Sequence, residues 1–379
     1  MPPKAPYCEG AKRPFNPDTL IRDWDKHPSP EKGPFSSSIT LIFGLPQDDK
    51  YVYNAGPAGV TLLQAQIALL AKGRNGLHGW YRDGEGNEIL PPTGDDIVAY
   101  AALFDPSKSI AAALRAFESN AKKGSRRHEI AQHLSSHLLL PRAGLVLGKS
   151  KRQHINPYYD FWRWSCKELE WGGPFPNTAN TKMSHHILPV FYHHFGCVVP
   201  SYAALYTIAQ LAQPKGGPKV PSKPILDIGS GSGYWTFMLR KLALPTHMSP
   251  LVVHAIDNQR SLYRTMWVGD TIPATGEEYL DGHDGGKNAI LLLVYPQTEE
   301  EFVRKTVEHY NGGVIVVAAT QNADGFTAFK EGTMNVWMKR EHPEFEHTAQ
   351  IPLPSFAGKD EALYVFERSN SSAQQASQS

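Results

Sequence analysis

A glycine-rich turn follows an apolar, strand-like run in the second half of this 379-residue chain. Residues 224–228 are apolar except for one aspartate, and they lead into the sequence GSGSG at 229–233 and then into Tyr234 and Trp235. Glycine adopts backbone angles that other residues avoid, and it lets the main chain approach a ligand closely. A helix that starts after such a turn presents unpaired N–H groups and the positive end of its dipole. The segment therefore predicts a ligand-binding turn between a strand and a helix.

The details of this turn argue against a dinucleotide site. A dinucleotide fingerprint has the form G-x-G-x-x-G, with the pyrophosphate over the start of the helix. Here Tyr234 and Trp235 occupy the place of the third glycine, and Asp227 lies inside the turn, where its charge would repel a pyrophosphate. A carboxylate at this position suits a cationic ligand instead.

The pattern Asp227-x-Gly229-x-Gly231-x-Gly233 resembles the first motif of the class I S-adenosylmethionine-dependent methyltransferases. The resemblance implies that the three glycines contact the amino-acid part of S-adenosylmethionine and that Asp227 helps to organise its ammonium end, directly or through water. Asp257, which closes the predicted strand at 254–256, matches the acidic residue that holds the ribose hydroxyls in this family. A carboxylate is chemically suited to accept those two hydrogen bonds.

The resemblance extends to Asp270, which matches the acidic residue near the adenine amino group. Asp270 lies only 13 positions after Asp257, so the helix and strand expected between them must be short or irregular. The match covers roughly residues 185–367. It implies an α/β fold with a Rossmann-like class I methyltransferase sheet that ends in an antiparallel hairpin.

The residues that would handle the methyl acceptor are expected at the carboxyl ends of the strands. Methyl transfer from a sulfonium is an in-line displacement, so the enzyme mainly positions the nucleophile and excludes water. Tyr295-Pro296-Gln297 stands where amine and amide methyltransferases of this class often have Asn or Asp, two prolines and an aromatic residue. Tyr295 and Gln297 are therefore candidate catalytic residues. An equal alternative is that Pro296 merely ends the strand and that Tyr295 packs beside it. Gln321 and Asn322 are candidates to orient a substrate hydroxyl or amide.

An aromatic segment lies upstream, with the sequence YYDFWRW at 158–164. Class I enzymes often use a preceding helix as a lid, and aromatic faces can hold a flat or cationic substrate. Tyr159 and Trp162 are the candidate substrate contacts in this segment. Packing between two domains is the alternative interpretation.

Four histidines lie between residues 185 and 194. They resemble metal ligands at first sight, but Pro189 is expected to interrupt the helix and no carboxylate lies close in sequence. We therefore expect no metal. His186 is retained as a candidate substrate contact, and one of the histidines could act as a general base.

The elements around these residues follow from hydrophobic periodicity. Short apolar runs alternate with helical segments after about residue 150, and this alternation predicts parallel strands at 224–228, 251–256, 289–294 and 313–319. Two further runs, 348–353 and 362–367, predict the terminal antiparallel hairpin. With these elements, the resemblance to class I methyltransferases implies that residues 151–369 form an S-adenosylmethionine-binding methyltransferase domain.

The first part of the chain has a different pattern. Residues 1–36 are rich in proline and polar residues and predict an irregular arm, and residues 37–150 predict a mainly helical accessory domain. Within that domain we expect a strand at 38–45, a hairpin turn at 81–87, and helices at 58–72, 109–122 and 126–140. Residues 370–379 predict a disordered tail.

Composition limits the classes of function. The net charge is +1, from 38 basic and 37 acidic residues, so no overall field attracts nucleic acid. The longest apolar runs are too short to span a bilayer, and the three cysteines form no disulfide or zinc pattern. We expect a cytoplasmic enzyme without a membrane partner that methylates a small molecule. A catalytically silent cofactor-binding scaffold and a protein or peptide methyltransferase are the alternatives.

Overall fold

A computed structural model provides the structure of this protein. It describes residues 5–27, 30–55, 58–71, 78–141, 145, 147–180, 184–214, 219–297, 301–322, 327–330 and 332–369. Within these ranges, no helix is both long enough and apolar enough to cross a membrane.

Up to residue 211 the described chain is mainly helical. Its helices are α1 (Pro17–Arg22), α2 (Phe35–Phe43), α3 (Leu62–Leu70), α4 (Gly94–Ala101), α5 (Ile110–Ser119), α6 (Arg126–His137), α7 (Pro157–Glu168), α8 (Leu188–His194) and α9 (Tyr202–Leu211). Short strands accompany them: β1 (Tyr7–Cys8), β2 (Tyr53–Ala55) and β3 (Ala58–Val60).

The remainder alternates strands with helices. The strands are β4 (Ile225–Ile228), β5 (Val253–Ile256), β6 (Thr265–Met266), β7 (Ile290–Val294), β8 (Val314–Thr320), β9 (Phe345–Pro352) and β10 (Glu361–Arg368). The helices are α10 (Tyr234–Arg240), α11 (Gly276–Asp281), α12 (Glu301–Glu308) and α13 (Met334–Glu341).

Six of these strands form one mixed sheet in the order β5-β4-β7-β8-β10-β9. The first four strands in this order run parallel, and β10 runs antiparallel to both of its neighbours. The fold is therefore α/β with a Rossmann-like sheet that ends in an antiparallel hairpin, which confirms the predicted fold class. Parallel neighbours also bring the carboxyl ends of β4, β5, β7 and β8 to one edge of the sheet.

Both faces of the sheet are buried, which explains why its strands form continuous apolar runs in the sequence. In β7, Ile290 and Leu292 belong to the larger cluster of buried residues, whereas Leu291 and Leu293 belong to a second cluster. The larger cluster includes residues of α7, α9 and α10, and the second includes residues of α11, α12 and α13. Helices thus cover both sides, as the alternation of side chains along a strand requires.

The segment between β5 and α11 carries little regular structure. Ile272 pairs with Ile256 in a single parallel bridge, in which the Ile272 N–H donates to the Ala255 carbonyl at 2.8 Å. The Asp257 N–H donates in turn to the Ile272 carbonyl at 3.1 Å. The resemblance to class I methyltransferases implied a further strand beside β5. A single bridge occupies that place, which agrees with the short spacing between Asp257 and Asp270.

Residues 38–45 form no strand, so that prediction is wrong. They belong to α2, which buries Phe35, Ile39, Ile42 and Phe43 at helical spacing. Gly44 ends the helix in the left-handed conformation with φ 65°, as glycine commonly does. The apolar run at 38–45 resembles a strand because it excludes the first turn of the helix, which begins at Phe35.

The described residues of the predicted N-terminal arm, 5–27 and 30–36, include regular structure. In α1 the Asn16 side chain accepts a hydrogen bond from the Thr19 N–H at 3.0 Å, and Pro17 occupies the first turn. The strand β1 pairs with β6, which fixes the arm to the sheet-forming half. The predicted helices at 58–72, 109–122 and 126–140 correspond to α3, α5 and α6, each shorter than predicted. Residues 370–379 lie outside the described residues.

The larger cluster of buried residues joins the two predicted domains. It contains Leu134 of α6, Trp162 of α7 and Leu292 of β7. The domain boundary near residue 150 stays a prediction.

Pro189 lies in the first turn of α8 and does not interrupt it, because a proline there removes no helical hydrogen bond.

Candidate functional site

The glycine turn connects β4 to α10 and requires its glycines. Gly229, Gly231 and Gly233 have φ angles of 74°, 56° and 76°, a region that other residues rarely adopt. A Cβ at Gly231 would lie 2.6 Å from the Tyr263 hydroxyl, and one at Gly233 would lie 2.4 Å from Val268 Cγ2. The turn therefore has a backbone conformation that favours glycine, and the segment that follows β5 packs closely against it.

A cavity of about 340 Å³ opens over this turn at the carboxyl edge of the sheet. This volume falls in the range of roughly 300–1,000 Å³ that small-ligand sites usually occupy. Five residues predicted from the sequence line it together: Gly229, Gly231, Asp257, Tyr295 and Gln297. The structure thus brings three of the six predicted cofactor residues and both predicted catalytic residues to one cavity.

Asp257 links the end of β5 to the glycine turn. Its Oδ2 accepts a hydrogen bond from the Gly231 N–H at 2.9 Å, and its Oδ1 accepts one from the Gln259 N–H at 2.5 Å. Among the described residues that line the cavity, Asp257 is the only carboxylate. It is therefore the carboxylate acceptor available to ligand hydroxyls.

Asp227 lies beneath the turn and does not line the cavity. Thr236 Oγ1 donates to its Oδ2 at 2.6 Å, whereas its buried Oδ1 has no hydrogen-bond partner among the described residues. Complete burial raises the pKa of Asp227 to about 7, against the opposing effect of the Thr236 hydrogen bond. This buried carboxyl with one free acceptor lies close to where the resemblance implied a cationic ligand group.

Like Asp227, the predicted cofactor residues Gly233 and Asp270 lie outside the cavity. Gly233 provides the N-cap of α10 behind the cavity wall. Asp270 accepts a hydrogen bond from Arg240 Nη1 at 2.8 Å, its side chain is 54% exposed, and that partner lowers its pKa. In place of Asp270, the segment between β5 and α11 lines the cavity with Asn258, Arg260, Ser261, Tyr263, Ala274, Thr275 and Gly276.

Tyr295 has an unusual backbone for a residue directly after a strand. Its φ is 51°, in the left-handed region, and its N–H donates to the Ala318 carbonyl at 2.8 Å. Such strained non-glycine residues concentrate at functional sites. Burial raises the pKa of the Tyr295 phenol well above its usual range, so the group stays neutral at physiological pH and can donate or accept a hydrogen bond.

Sequence reasoning missed several side chains of the cavity, among them Tyr263, Phe302 and Cys197. Tyr263 lies against Gly231, Phe302 of α12 lies 3.0 Å from the position of a Cβ at Gly229, and Cys197 follows α8. Burial raises the pKa of the Cys197 thiol to about 12, so it remains protonated. The positions of Tyr263 and Phe302 depend on an irregular segment and on helix packing, which leave no pattern in the sequence.

The predicted substrate residues lie elsewhere. Tyr159 donates from its hydroxyl to the Ala101 carbonyl at 3.0 Å, and Trp162 donates from Nε1 to the Ser355 carbonyl at 2.9 Å, both within the core. His186 is exposed. Gln321 and Asn322 line a second cavity of about 940 Å³. The structure does not bring these five residues to the first cavity.

The neighbouring histidines have structural partners. His193 contacts the Asn54 carbonyl through Nε2 at 2.8 Å, and His194 contacts Thr265 Oγ1 through Nδ1 at 2.8 Å. Burial lowers the pKa of both imidazoles, so they are neutral at physiological pH. Within the described part of the chain, no group of three or more His, Cys, Asp or Glu residues is placed to hold a metal ion.

Comparisons with known proteins give only distant likenesses. No protein-family model and no curated protein matches this chain. An uncharacterized protein from Listeria monocytogenes serotype 4b is 13% identical, with a TM-score of 0.29, over 44% of this chain and 67% of its own. The precorrin-6y C5,15-methyltransferase from Geobacter metallireducens GS-15 is 12% identical, with a TM-score of 0.28, over 46% and 93%.

The CurJ carbon methyltransferase is 11% identical to this chain, with a TM-score of 0.29, over 73% of this chain and 91% of its own. Likenesses at this level carry no argument about family or reaction. The fold assignment therefore rests on the strand order and directions described above.

Proposed function

We propose that this protein is an S-adenosylmethionine-dependent methyltransferase that acts on a small molecule. One observation carries the proposal: a left-handed glycine turn, the Asp257 carboxylate and the strained Tyr295 line a single cavity of about 340 Å³ at the carboxyl edge of the sheet. This is the edge at which open α/β sheets bind their ligands.

The residues present fit the cofactor. The glycine turn forms a cradle that Cβ atoms would fill, and Asp257 supplies acceptor oxygens for ribose hydroxyls. Asp227, with its unpartnered buried Oδ1, would supply negative potential beneath the turn for an ammonium group when it is ionised. Bound S-adenosylmethionine supplies an electrophilic methyl group on a sulfonium.

The contribution of this chain to the reaction is then mainly positional. Phe302 and Tyr263 cover the glycine turn and limit the access of water, as an in-line displacement requires. The neutral Tyr295 hydroxyl and the Gln297 amide are placed to orient the acceptor by hydrogen bonds. No imidazole lines the described part of this cavity, so the proposal favours an acceptor that needs no imidazole base.

The second candidate function is a catalytically silent cofactor-binding protein. The observation that favours it is that, among the described residues lining the cavity, there is no imidazole and no carboxylate besides Asp257 to act as a general base. Binding alone does not separate the two candidates, whereas turnover of a methyl donor does.

Calorimetric titration with S-adenosylhomocysteine, with NAD as a control ligand, tests the cofactor site. We expect micromolar binding of S-adenosylhomocysteine and none of NAD. The Asp257→Ala variant should weaken binding by about tenfold or more, the usual effect of losing a hydrogen bond to a charged group.

Asp270→Ala is the matched control, because it removes a carboxylate that lies outside the cavity. Its affinity should equal that of the natural protein. Absence of S-adenosylhomocysteine binding would overturn the methyltransferase proposal. Binding without methyl transfer in a screen of small-molecule acceptors would favour the silent protein.

A further inference from the structure

A short segment between two fixed points carries Tyr263 to the first cavity. The side chains of residues 258–262 are exposed, and Gln259 has a left-handed φ of 59°. The Tyr263 hydroxyl lies so close to Gly231 that a Cβ at Gly231 would be 2.6 Å from it. We call residues 258–263 the strap. Because most of the strap faces solvent, its position over the glycine turn depends on the residues that hold its two ends.

The first end of the strap is held by Asp257, at the end of β5. The Asp257 N–H donates to the Ile272 carbonyl at 3.1 Å, and the Asp257 Oδ2 accepts a hydrogen bond from the Gly231 N–H at 2.9 Å. All of these partners belong to the sheet-forming half of the chain.

The second end is held by Arg264, whose partners come from the helical half. The Arg264 N–H donates to the His193 carbonyl at 2.9 Å, and the Arg264 carbonyl accepts from the Glu9 N–H at 2.7 Å. Nη1 and Nη2 donate to the two Asp49 oxygens at 2.6 and 2.7 Å, and Nη1 also donates to the Tyr53 hydroxyl at 2.6 Å. The Arg264 side chain is 1% exposed. The residue that follows Tyr263 is therefore fixed through both its backbone and its side chain.

Stability alone does not explain a buried ion pair at this position. Moving a guanidinium and a carboxylate out of water costs much of what their attraction returns. A two-point contact does provide a fixed geometry, because the planar guanidinium matches both oxygens of a carboxylate. The pair of Arg264 and Asp49 thus fixes the chain directly beside Tyr263.

The chain that follows Arg264 contacts the glycine turn as well. The Trp267 N–H donates to the Ser232 carbonyl at 2.8 Å, and Trp267 Nε1 donates to the His194 carbonyl at 2.6 Å. Residues 263–268 therefore lie between the glycine turn and the helical half, and they connect the two by direct hydrogen bonds.

We propose that Arg264 is a positioning residue for the first cavity: held by Asp49 and Tyr53, it keeps Tyr263 against the glycine turn for cofactor binding. The inference rests on the proposed function, and it assigns the helical half a part in binding S-adenosylmethionine. Arg264 does not line the cavity, so it acts through Tyr263. A residue that is ordered before the ligand arrives does not have to be ordered at the expense of affinity.

Calorimetric titration of the full-length chain with S-adenosylhomocysteine tests this role. Asp49→Asn preserves the shape of the side chain and removes the charge that holds Arg264. We expect it to bind S-adenosylhomocysteine about tenfold more weakly than the natural protein, since ordering one residue on binding costs about that factor. Tyr53→Phe removes only a hydroxyl and should weaken binding by a smaller factor. It keeps the test decisive if Asp49→Asn fails to fold.

Asp360→Asn is the matched control. Asp360 is 2% exposed, its Oδ2 lies 2.7 Å from His133 Nε2, and its Oδ1 accepts a hydrogen bond from Gln321 Nε2 at 2.7 Å. The substitution therefore also removes a buried carboxylate, at a position outside the first cavity. We expect lower stability with unchanged affinity for S-adenosylhomocysteine. If Arg264 served stability alone, Asp49→Asn would behave in the same way.

Hydrogen exchange of the ligand-free protein separates this inference from the proposed function. The Arg264 and Trp267 N–H groups are hydrogen-bonded in the structure. We expect them to exchange at least about tenfold faster in Asp49→Asn than in the natural protein, relative to the N–H groups of β7 in the same sample, because the chain around Arg264 opens locally. Asp360→Asn should leave this ratio unchanged.

Two results would overturn the inference and leave the proposed function standing. One is that the folded Asp49→Asn or Tyr53→Phe variant binds S-adenosylhomocysteine as tightly as the natural protein, or loses no more affinity than Asp360→Asn. The other is an unchanged exchange ratio at Arg264 and Trp267 in Asp49→Asn. No binding of S-adenosylhomocysteine by the natural protein would overturn the proposed function and this role of Arg264 with it.

Discussion

Asp227 and Asp257 are two carboxylates at the ends of neighbouring strands, and the structure gives them different surroundings. Asp257 lines the first cavity and is held by two backbone N–H groups, whereas Asp227 is fully buried beneath the glycine turn. A buried carboxyl is disfavoured in its charged form because it has lost its hydration. At the residue scale, the site thus combines the Asp257 carboxylate, which lines the cavity, with the buried Asp227 carboxyl group, whose pKa lies near neutral pH.

This difference predicts a pH-dependent stability. The pKa of Asp227 is about 7 in the folded protein against an ordinary 3.8, so folding favours its protonated form. Its contribution is fully present below about pH 4 and is lost as the pH rises through 7, at up to about 1.4 kcal/mol per pH unit. Asp227→Asn cannot titrate. Urea denaturation should therefore show the variant gaining stability relative to the natural protein between pH 4 and pH 8, and a constant difference would contradict the assignment.

The element that creates the first cavity is the unit β4, glycine turn and α10. Gly233 is its tightest point, because it combines a φ of 76° with a Val268 Cγ2 atom only 2.4 Å from where a Cβ would lie. The left-handed backbone costs a non-glycine residue about 1–2 kcal/mol, and overpacking costs about 1–3 kcal/mol more. Gly233→Ala should lower the free energy of unfolding by the sum of these effects, measured by urea denaturation.

Gly313→Ala is the matched control for this prediction. Gly313 leads into β8 without a left-handed φ, and a Cβ there would meet no atom within 4 Å. The control should be close to neutral. Equal losses of stability in both variants would mean that the turn does not need its glycine.

Most of the sheet could be predicted from the sequence, because strands buried on both faces give short, continuous apolar runs. The strand β7 and the hairpin of β9 and β10 are examples. The helix α2 could not be predicted, since its first turn begins before the apolar run and its period is ambiguous over so few residues. In the first cavity, the glycines and Asp257 belong to a local sequence motif. Tyr263 and Phe302 reach the cavity through tertiary packing, which produces no recognisable spacing in the sequence.

On the scale of the whole molecule, a buried ion pair connects the helical half to the half that forms the six-stranded sheet. Arg264, beside β6, donates from Nη1 and Nη2 to the two oxygens of Asp49 at 2.6 and 2.7 Å. Arg264 is 1% exposed and Asp49 9%, and Tyr53 also accepts from Arg264 at 2.6 Å. Because the larger cluster of buried residues also spans both halves, we expect them to unfold as one unit.

Asp49→Asn tests this coupling. Removing one partner of a buried ion pair leaves the other charge without compensation and costs about 3–5 kcal/mol. Asp281→Asn is the control, because that carboxylate pairs with His309 on the surface and should contribute at most about 1 kcal/mol. Unfolding followed by tryptophan fluorescence should stay a single transition in both variants, shifted strongly only in Asp49→Asn. Two separate transitions would show that the halves fold independently, as the predicted boundary near residue 150 would allow.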